Sequence, residues 1–357
     1  AEPAPGANIV DILVSTTRER DPSPDTYFSG ERREEGLDFA EFTVSIPPVH
    51  QAGKIEWADQ APGDPRKHFV TRNASYIDGD ARFQARLDQR LSRLPKGKRT
   101  VFVFIHGYNT LFSEGLFRYA QILDDGDFPG VPVFFTWASR GKVQDYVYDL
   151  NSASIARDGL ETTLRYLARS KAEKVIIVAH SMGNWLLLET GSRLSERDRI
   201  AIGRKLDHVV LAAPDIDIDL FKTQMRRMGK PQRPFVVIVS RDDKALRLSR
   251  RIAGNKERLG AYSDDEELAE LGAIVINLTD FDSLDATNHS KFAQLAALGP
   301  ELSAAITTSG LTKTAGSSAQ GRAGRGQGIT GLIGNTAMIA ITLPTAIVGG
   351  SGTAVRE

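Results

Sequence analysis

Ser181 lies in Ala179-His180-Ser181-Met182-Gly183, directly after the run Lys174-Val175-Ile176-Ile177-Val178 and directly before Asn184-Trp185-Leu186-Leu187-Leu188. A buried strand, a tight turn centred on a serine and then a helix is the setting of a nucleophile elbow. Ala179 and Gly183 keep the flanks small where strand and helix backbones must converge. Ala in place of the commoner Gly fits if its φ is negative. Such a turn presents an exposed Oγ at a helix N-terminus, where backbone N–H groups and the helix dipole stabilise an oxyanion. The competing reading is a serine that only caps a buried helix.

Val101-Phe102-Val103-Phe104-Ile105 is a second buried-strand pattern, and it runs into His106-Gly107-Tyr108-Asn109. A His-Gly turn after an early central strand is where α/β-hydrolases supply the other oxyanion donor. Gly107 permits the turn, and the backbone N–H of Tyr108, with that of Met182, would receive the charge.

A serine hydroxyl needs a base. The chain has six histidines. The base in this arrangement follows the last strand, and only His289, in Asp285-Ala286-Thr287-Asn288-His289-Ser290, does so. His208 opens a strand, and His50 and His68 precede the sheet. His106 braces its own turn, and His180 points away from Ser181. The acid that orients the imidazole has three candidates. Asp242 and Asp243 follow the strand Phe235–Val239, between serine and histidine in chain order; Asp215, with Asp217 beside it, follows the strand before. Asn109, Trp137, Tyr146 and Asp217 are candidate pocket residues, although aromatic side chains here more often pack.

The elements that must position these groups alternate. Strands are expected at 101–105, 131–136, 174–178, 208–212, 235–239 and 273–278, with helices near 113–124, 145–169, from 184, over 220–228 and from 290. That order predicts an α/β fold with a mostly parallel central sheet and helices on both faces. Upstream, Ile9–Ser15 and Phe39–Ile46 read as strands, Arg18–Glu35 as a long surface loop, and Phe83, Leu87 and Leu91 as a helical stripe. About twenty residues separate Pro214 from Phe235, too few for a large cap. The expected organisation is a leader over 1–7, an N-terminal part over 8–98, a catalytic core over 99–308, a Gly/Ser/Ala/Arg linker over 309–328 and an uncharged tail from 329.

Lys and Arg number 45, as do Asp and Glu. No global field recruits nucleic acid or an anionic membrane. Without cysteine there are no disulfides, thiolate metal sites or cysteine nucleophile. The start, Ala-Glu-Pro-Ala-Pro, suits a processed signal peptide and a periplasmic or secreted destination, with the cytoplasm as alternative. The tail reads as loosely docked or disordered, as packed on a surface or partner, or, less favoured, as a membrane anchor, since Gly, Asn335 and Pro344 interrupt it.

The chain resembles the α/β-hydrolases, and among them the bacterial family catalogued as domain of unknown function 900, over about residues 8–300. The resemblance rests on Phe104-Ile105-His106-Gly107-Tyr108-Asn109, Thr136-Trp137-Ala138-Ser139, Ala179-His180-Ser181-Met182-Gly183-Asn184, Ala213-Pro214-Asp215-Ile216-Asp217, Ser240-Arg241-Asp242-Asp243-Lys244-Ala245-Leu246 and Asn288-His289-Ser290. Val44-Ser45-Ile46-Pro47, His50 and Gly53 add to it. It implies that Asp243, two residues before Ala-Leu, is the triad acid, and that the protein is a serine esterase acting on a small-molecule ester without metal or cofactor. Acyl transfer, thioester or peptide cleavage on the same triad, and a hydrolase-like binding protein, are the alternatives.

Overall fold

A computed structural model describes residues 3–23, 26–229, 231, 233–298, 328–333 and 337–342. Among the described residues, eleven strands form one sheet. Its parallel part comprises β1 (Asn8–Thr16), β6 (Thr100–Ile105), β7 (Val131–Thr136), β8 (Lys174–His180), β9 (Leu206–Ala212), β10 (Phe235–Val239) and β11 (Ala273–Asn277). Antiparallel strands β4 (Asp38–Ile46) and β5 (Val70–Ile77) extend one edge. β12 (Gly328–Ile333) and β13 (Ala337–Thr342) extend the other. β2 (Arg18–Arg20) and β3 (Phe28–Arg32) form a small separate hairpin.

Central strands are apolar throughout because they are buried on both faces. In β6, Val101, Val103 and Ile105 join one core, while Phe102 and Phe104 join the other. This follows from the period of two along a strand. The first core is covered by α1 (Asp80–Ser92), α3 (Tyr146–Arg169), α4 (Met182–Arg193), α5 (Glu196–Gly203), α6 (Ile218–Met228) and α8 (Asp265–Glu270). The second is covered by α2 (Phe112–Asp125) and α9 (Lys291–Gln294). α7 (Lys244–Ile252) follows β10. The expected stripe Phe83, Leu87 and Leu91 is fully buried, each side chain contributing about 1.5–3 kcal/mol.

β6 pairs with both β7 and β8. The chain leaves β6 for β7 on one side, then returns past it to β8 on the other. Such a reversal opens a crevice at the C-terminal strand ends, and there the turns after β6 and β8 meet. Between β9 and β10 only α6 intervenes among the described residues, so no large cap is inserted.

One expectation needs correction, and two segments take on structure that the sequence left open. Arg18–Glu35 is not simply a surface loop: it contains β2 and β3, and Arg18 is fully buried. β5 is a strand that its polar sequence conceals, because an edge strand with a solvated face needs few apolar residues. Part of the expected tail lies on the sheet edge. β13 pairs with β11 through Val275↔Thr342, Ile276↔Ile341 and Asn277↔Ala340, and Ile339 and Ile341 are buried. Most of the expected linker, 309–327, and the chain beyond 342 lie outside the described residues. No described helix is long and apolar enough to cross a membrane.

Candidate active site

β8 delivers Ser181 at φ 52° and ψ −123°. For a residue with a Cβ this conformation costs about 1–3 kcal/mol, so the surroundings must impose it. Ser181 N–H donates to Ala212 O at 3.0 Å, and Ser181 O accepts from Asn184 N, Asn184 Nδ2 and Asp215 N at 3.1, 3.0 and 3.2 Å. The side chain makes no capping bond to α4, which removes the helix-cap reading. Ser181 is only 2% exposed. Ser181 is thus buried and not on the open surface that the motif suggested. A Cβ on Gly183 would stand 2.4 Å from His106 O, and one on Gly107 would stand 2.7 Å from Ser181 Cβ. Both glycines are therefore required by close approach of the two turns, while Ala179 tolerates its Cβ because its φ is not positive.

The turn after β6 is braced from behind. His106 Nδ1 lies 2.7 Å from Gly107 O, and its Nε2 lies 2.9 Å from Thr136 Oγ1 and 3.1 Å from Trp137 N. A carbonyl only accepts and an amide only donates, so Nδ1 carries the proton. Burial, reinforced by the Arg18 charge, holds the His106 pKa well below 6.5. Trp137 Nε1 donates to His106 O at 3.0 Å, and the two rings stack at 5.0 Å. Arg18 donates to Thr136 Oγ1 (2.8 Å), Ser29 O (3.0 Å), Ser139 O (2.9 Å) and Thr110 O (2.8 Å). Burial lowers its pKa to about 9, although Asp149 pulls the other way. Asp149, also fully buried, accepts from Asn109 N at 3.0 Å, Ser139 Oγ at 2.5 Å and Arg140 N at 3.1 Å. The backbone around Tyr108 is thereby fixed by side chains from β2, β7 and α3.

His289 Nδ1 lies 2.6 Å from Asp243 Oδ2. Asp243 is fully buried, and its Oδ1 caps α7 by accepting from Leu246 N at 2.9 Å. Burial opposes a charged His289, but Asp243, by charge and hydrogen bond, raises its pKa above 6.5. Asp242 turns the other way. It accepts from Lys291 Nζ at 2.8 Å, Asn288 Nδ2 at 2.8 Å and Ser240 Oγ at 2.5 Å. Asp215 accepts from Ser249 Oγ at 2.6 Å and Tyr146 OH at 3.3 Å and pairs with Arg258 at 3.0 Å. Of the three candidate acids, Asp243 is the one bonded to His289.

Two residues fix the histidine loop that sequence reasoning left out. Asp285 accepts from Thr287, His289 and Ser290 backbone N–H groups. Despite burial, those bonds draw its pKa down to about 2. His180 Nε2 donates to His289 O at 3.1 Å, and its ring stacks on Phe292 at 4.5 Å. Only the position of Asp285, four residues before His289, hinted at such a part. Arg18 gave no signal, since it belongs to a charged stretch, and Asp149 gave none because a single carboxylate in a helix does not reveal its partners.

A cleft of about 280 Å³ opens against Gly107 and His180. Asn109, Thr110, Phe104, Phe292 and Arg118 line it, with Ile55 and Trp57 from the segment between β4 and β5. Of the expected pocket residues, Asn109 borders this cleft. Trp137 does not: it is fully buried behind His106. Tyr146 is turned inward by its bonds to Asp215 and Ser249. Asp217 caps α6 by accepting from Asp219 N and Leu220 N. Larger hollows occur elsewhere, between β5 and α1 for example, but share no residue with this site.

No curated protein matches the chain. Among solved structures it is similar to Aspergillus fumigatus lipase B, at 11% identity and a TM-score of 0.29. That match covers 46% of this chain and 43% of the lipase, less than half of either. Residues 80–306 match the family model described as "Alpha/beta hydrolase of unknown function (DUF900)". The matched span contains both turns, Asp243 and His289, and the sheet that carries them is the α/β-hydrolase sheet. The chain belongs to this DUF900 family of α/β-hydrolases.

Proposed function

We propose that this protein is a serine hydrolase that cleaves short- to medium-chain carboxylic esters. The observation that carries the reading is the 2.6 Å bond between His289 and buried Asp243, on a loop tied to the strained Ser181 elbow through His180. Ser181 is the nucleophile, His289 the base and Asp243 the orienting acid. Ser181 Oγ bonds to the acyl carbon while His289 Nε2 takes its proton and Nδ1–H remains on Asp243. The carbonyl electrons move to oxygen, which the N–H groups of Tyr108 and Met182 receive; one such donor is worth about 3 kcal/mol of barrier. Collapse breaks the ester C–O bond, and the departing alcohol takes the proton from His289. Water then attacks the acyl-enzyme with His289 as base, the acid leaves, and Ser181 regains its proton. The small cleft and the missing cap favour short to medium acyl chains.

The test is turnover of p-nitrophenyl esters of graded chain length, with fluorophosphonate labelling alongside. Labelling and turnover are both expected to vanish in Ser181→Ala, with unchanged thermal unfolding. Undiminished turnover in that variant would remove the assignment.

A further inference from the structure

Arg118, on α2, is a cation with no carboxylate in ion-pair contact, in a cleft whose lining mixes Ile55, Trp57, Phe104 and Phe292 with polar groups, Glu114 among them. Its Nη1 donates to Gly53 O at 3.2 Å and to Gln121 Oε1 at 2.8 Å. Nε and Nη2 have no protein acceptor among the described residues. A half-buried guanidinium left like this is costly, and burial lowers its pKa while Asp285 and Asp125 oppose that from a distance.

The nearby carboxylates are already engaged. Asp125 accepts from His50, Gly53 N and Gln121. Asp285 accepts the amides of the His289 loop. Glu114, at the cleft edge, accepts from Leu111 N. None of them pairs with Arg118. The two donors therefore remain for something that enters the cleft.

The placement is specific. Arg118, Ile55, Trp57 and Ser290 line both the cleft against Gly107 and a second hollow of about 250 Å³ beside it. Neither Ser181 nor His289 lines either hollow; Gly107, in close approach to Ser181, borders the first, which runs on past Ile55 and Trp57 to Arg118. Guanidinium presents parallel N–H groups that match a carboxylate or phosphate edge.

We infer that the ester cleaved here carries an anionic oxygen group, carboxylate or phosphate, which Arg118 Nε and Nη2 receive. This rests on the esterase reading above and names its substrate class. A neutral ester would leave the cation in the cleft unpaired, so the site discriminates against it.

The experiment compares mono-p-nitrophenyl glutarate with p-nitrophenyl pentanoate, a neutral ester of equal chain length. The wild-type protein is expected to favour the glutarate ester in kcat/KM by about tenfold or more. In Arg118→Gln that ratio falls by a similar factor, chiefly through KM for the charged ester, and Arg118→Lys retains part of it. The preference weakens with added salt. No preference in the wild type, or an equal fall for both esters in Arg118→Gln, overturns the inference. Should Arg118→Gln not fold, protection of wild-type Ser181 from fluorophosphonate decides: glutarate or inorganic phosphate is expected to protect, and protection by neither overturns it. Labelling of Ser181 without any charge preference sinks this inference alone. Absence of both labelling and turnover sinks the esterase reading and this one with it.

Discussion

Asp242 and Asp243 are sequence neighbours that face different partners. Asp243 meets His289, and Asp242 holds Lys291 and Asn288 on either side of that histidine. Asp243→Asn removes the charge that keeps the imidazole in its working tautomer. The expected loss in kcat is about 10⁴-fold, as in serine triads elsewhere. Asp242→Asn is expected to lower kcat by less than about tenfold while costing roughly 1–3 kcal/mol of stability, because buried Lys291 loses its counter-charge. A larger kcat loss in Asp242→Asn would exchange the two roles. The same pair sets the pH profile. In the proposed mechanism His289 must be neutral to act as base, and Asp243 raises its pKa above 6.5. The acid limb of kcat/KM therefore has its midpoint above pH 6.5, and it moves to lower pH in Asp243→Asn. An unmoved midpoint would mean that another group controls the limb.

At the scale of elements, two junctions hold the site walls. Arg18 ties β2 to the ends of β6 and β7 through Ser29, Ser139 and Thr110 carbonyls. Arg18→Gln leaves several of those acceptors unpaired in a buried place. At about 1–3 kcal/mol per orphaned group, the expected destabilisation is roughly 3 kcal/mol or more by urea titration, with kcat reduced as the Tyr108 turn loosens. A loss below 1 kcal/mol, on the same scale, would show that water replaces the guanidinium. The second junction docks the segment after β4 onto α2. His50 bridges Glu56 at 2.7 Å and Asp125 at 3.1 Å. Burial opposes its charge, but the two carboxylates prevail and raise its pKa to about 9. A folded-state pKa above the unfolded value near 6.5 stabilises fully below that value and is lost as pH rises through about 9. The unfolding midpoint should fall across this window, and His50→Gln should flatten the fall. An equal slope in both proteins would assign it to other groups.

Across the whole molecule, β9, β10 and β11 stand between the Ser181 elbow and the C-terminal strands, while Asp243 and His289 follow β10 and β11 at their C-terminal ends. A truncation after residue 310 removes Ile339 and Ile341 from the core and bares the edge of β11. Two buried isoleucines are worth roughly 3 kcal/mol or more together, and an exposed apolar edge invites association. The truncated chain is expected to unfold at lower urea and to form soluble aggregates, yet to keep fluorophosphonate labelling of Ser181. An unchanged urea midpoint would show that β13 contributes nothing to the sheet.

The sequence by itself determined the elements whose pattern is local. The apolar runs at 101–105, 131–136, 174–178 and 235–239 read as two-sided strands by their length and β-branched and aromatic content, and Gly107 and Gly183 mark the turns that follow two of them. The mostly parallel sheet with helices on both faces followed from their alternation with helices, and Ser181 and His289 were singled out by their places in that sequence. Tertiary structure decided what depends on direction and on distant neighbours. Spacing could not say which of two adjacent aspartates turns towards a histidine 46 residues away. Composition presented Arg18 as a surface charge, because nothing local reveals that three backbone carbonyls converge on it. The uncharged tail had no partner until the bare edge of β11 supplied one, since a strand there is stabilised by pairing and not by its own periodicity.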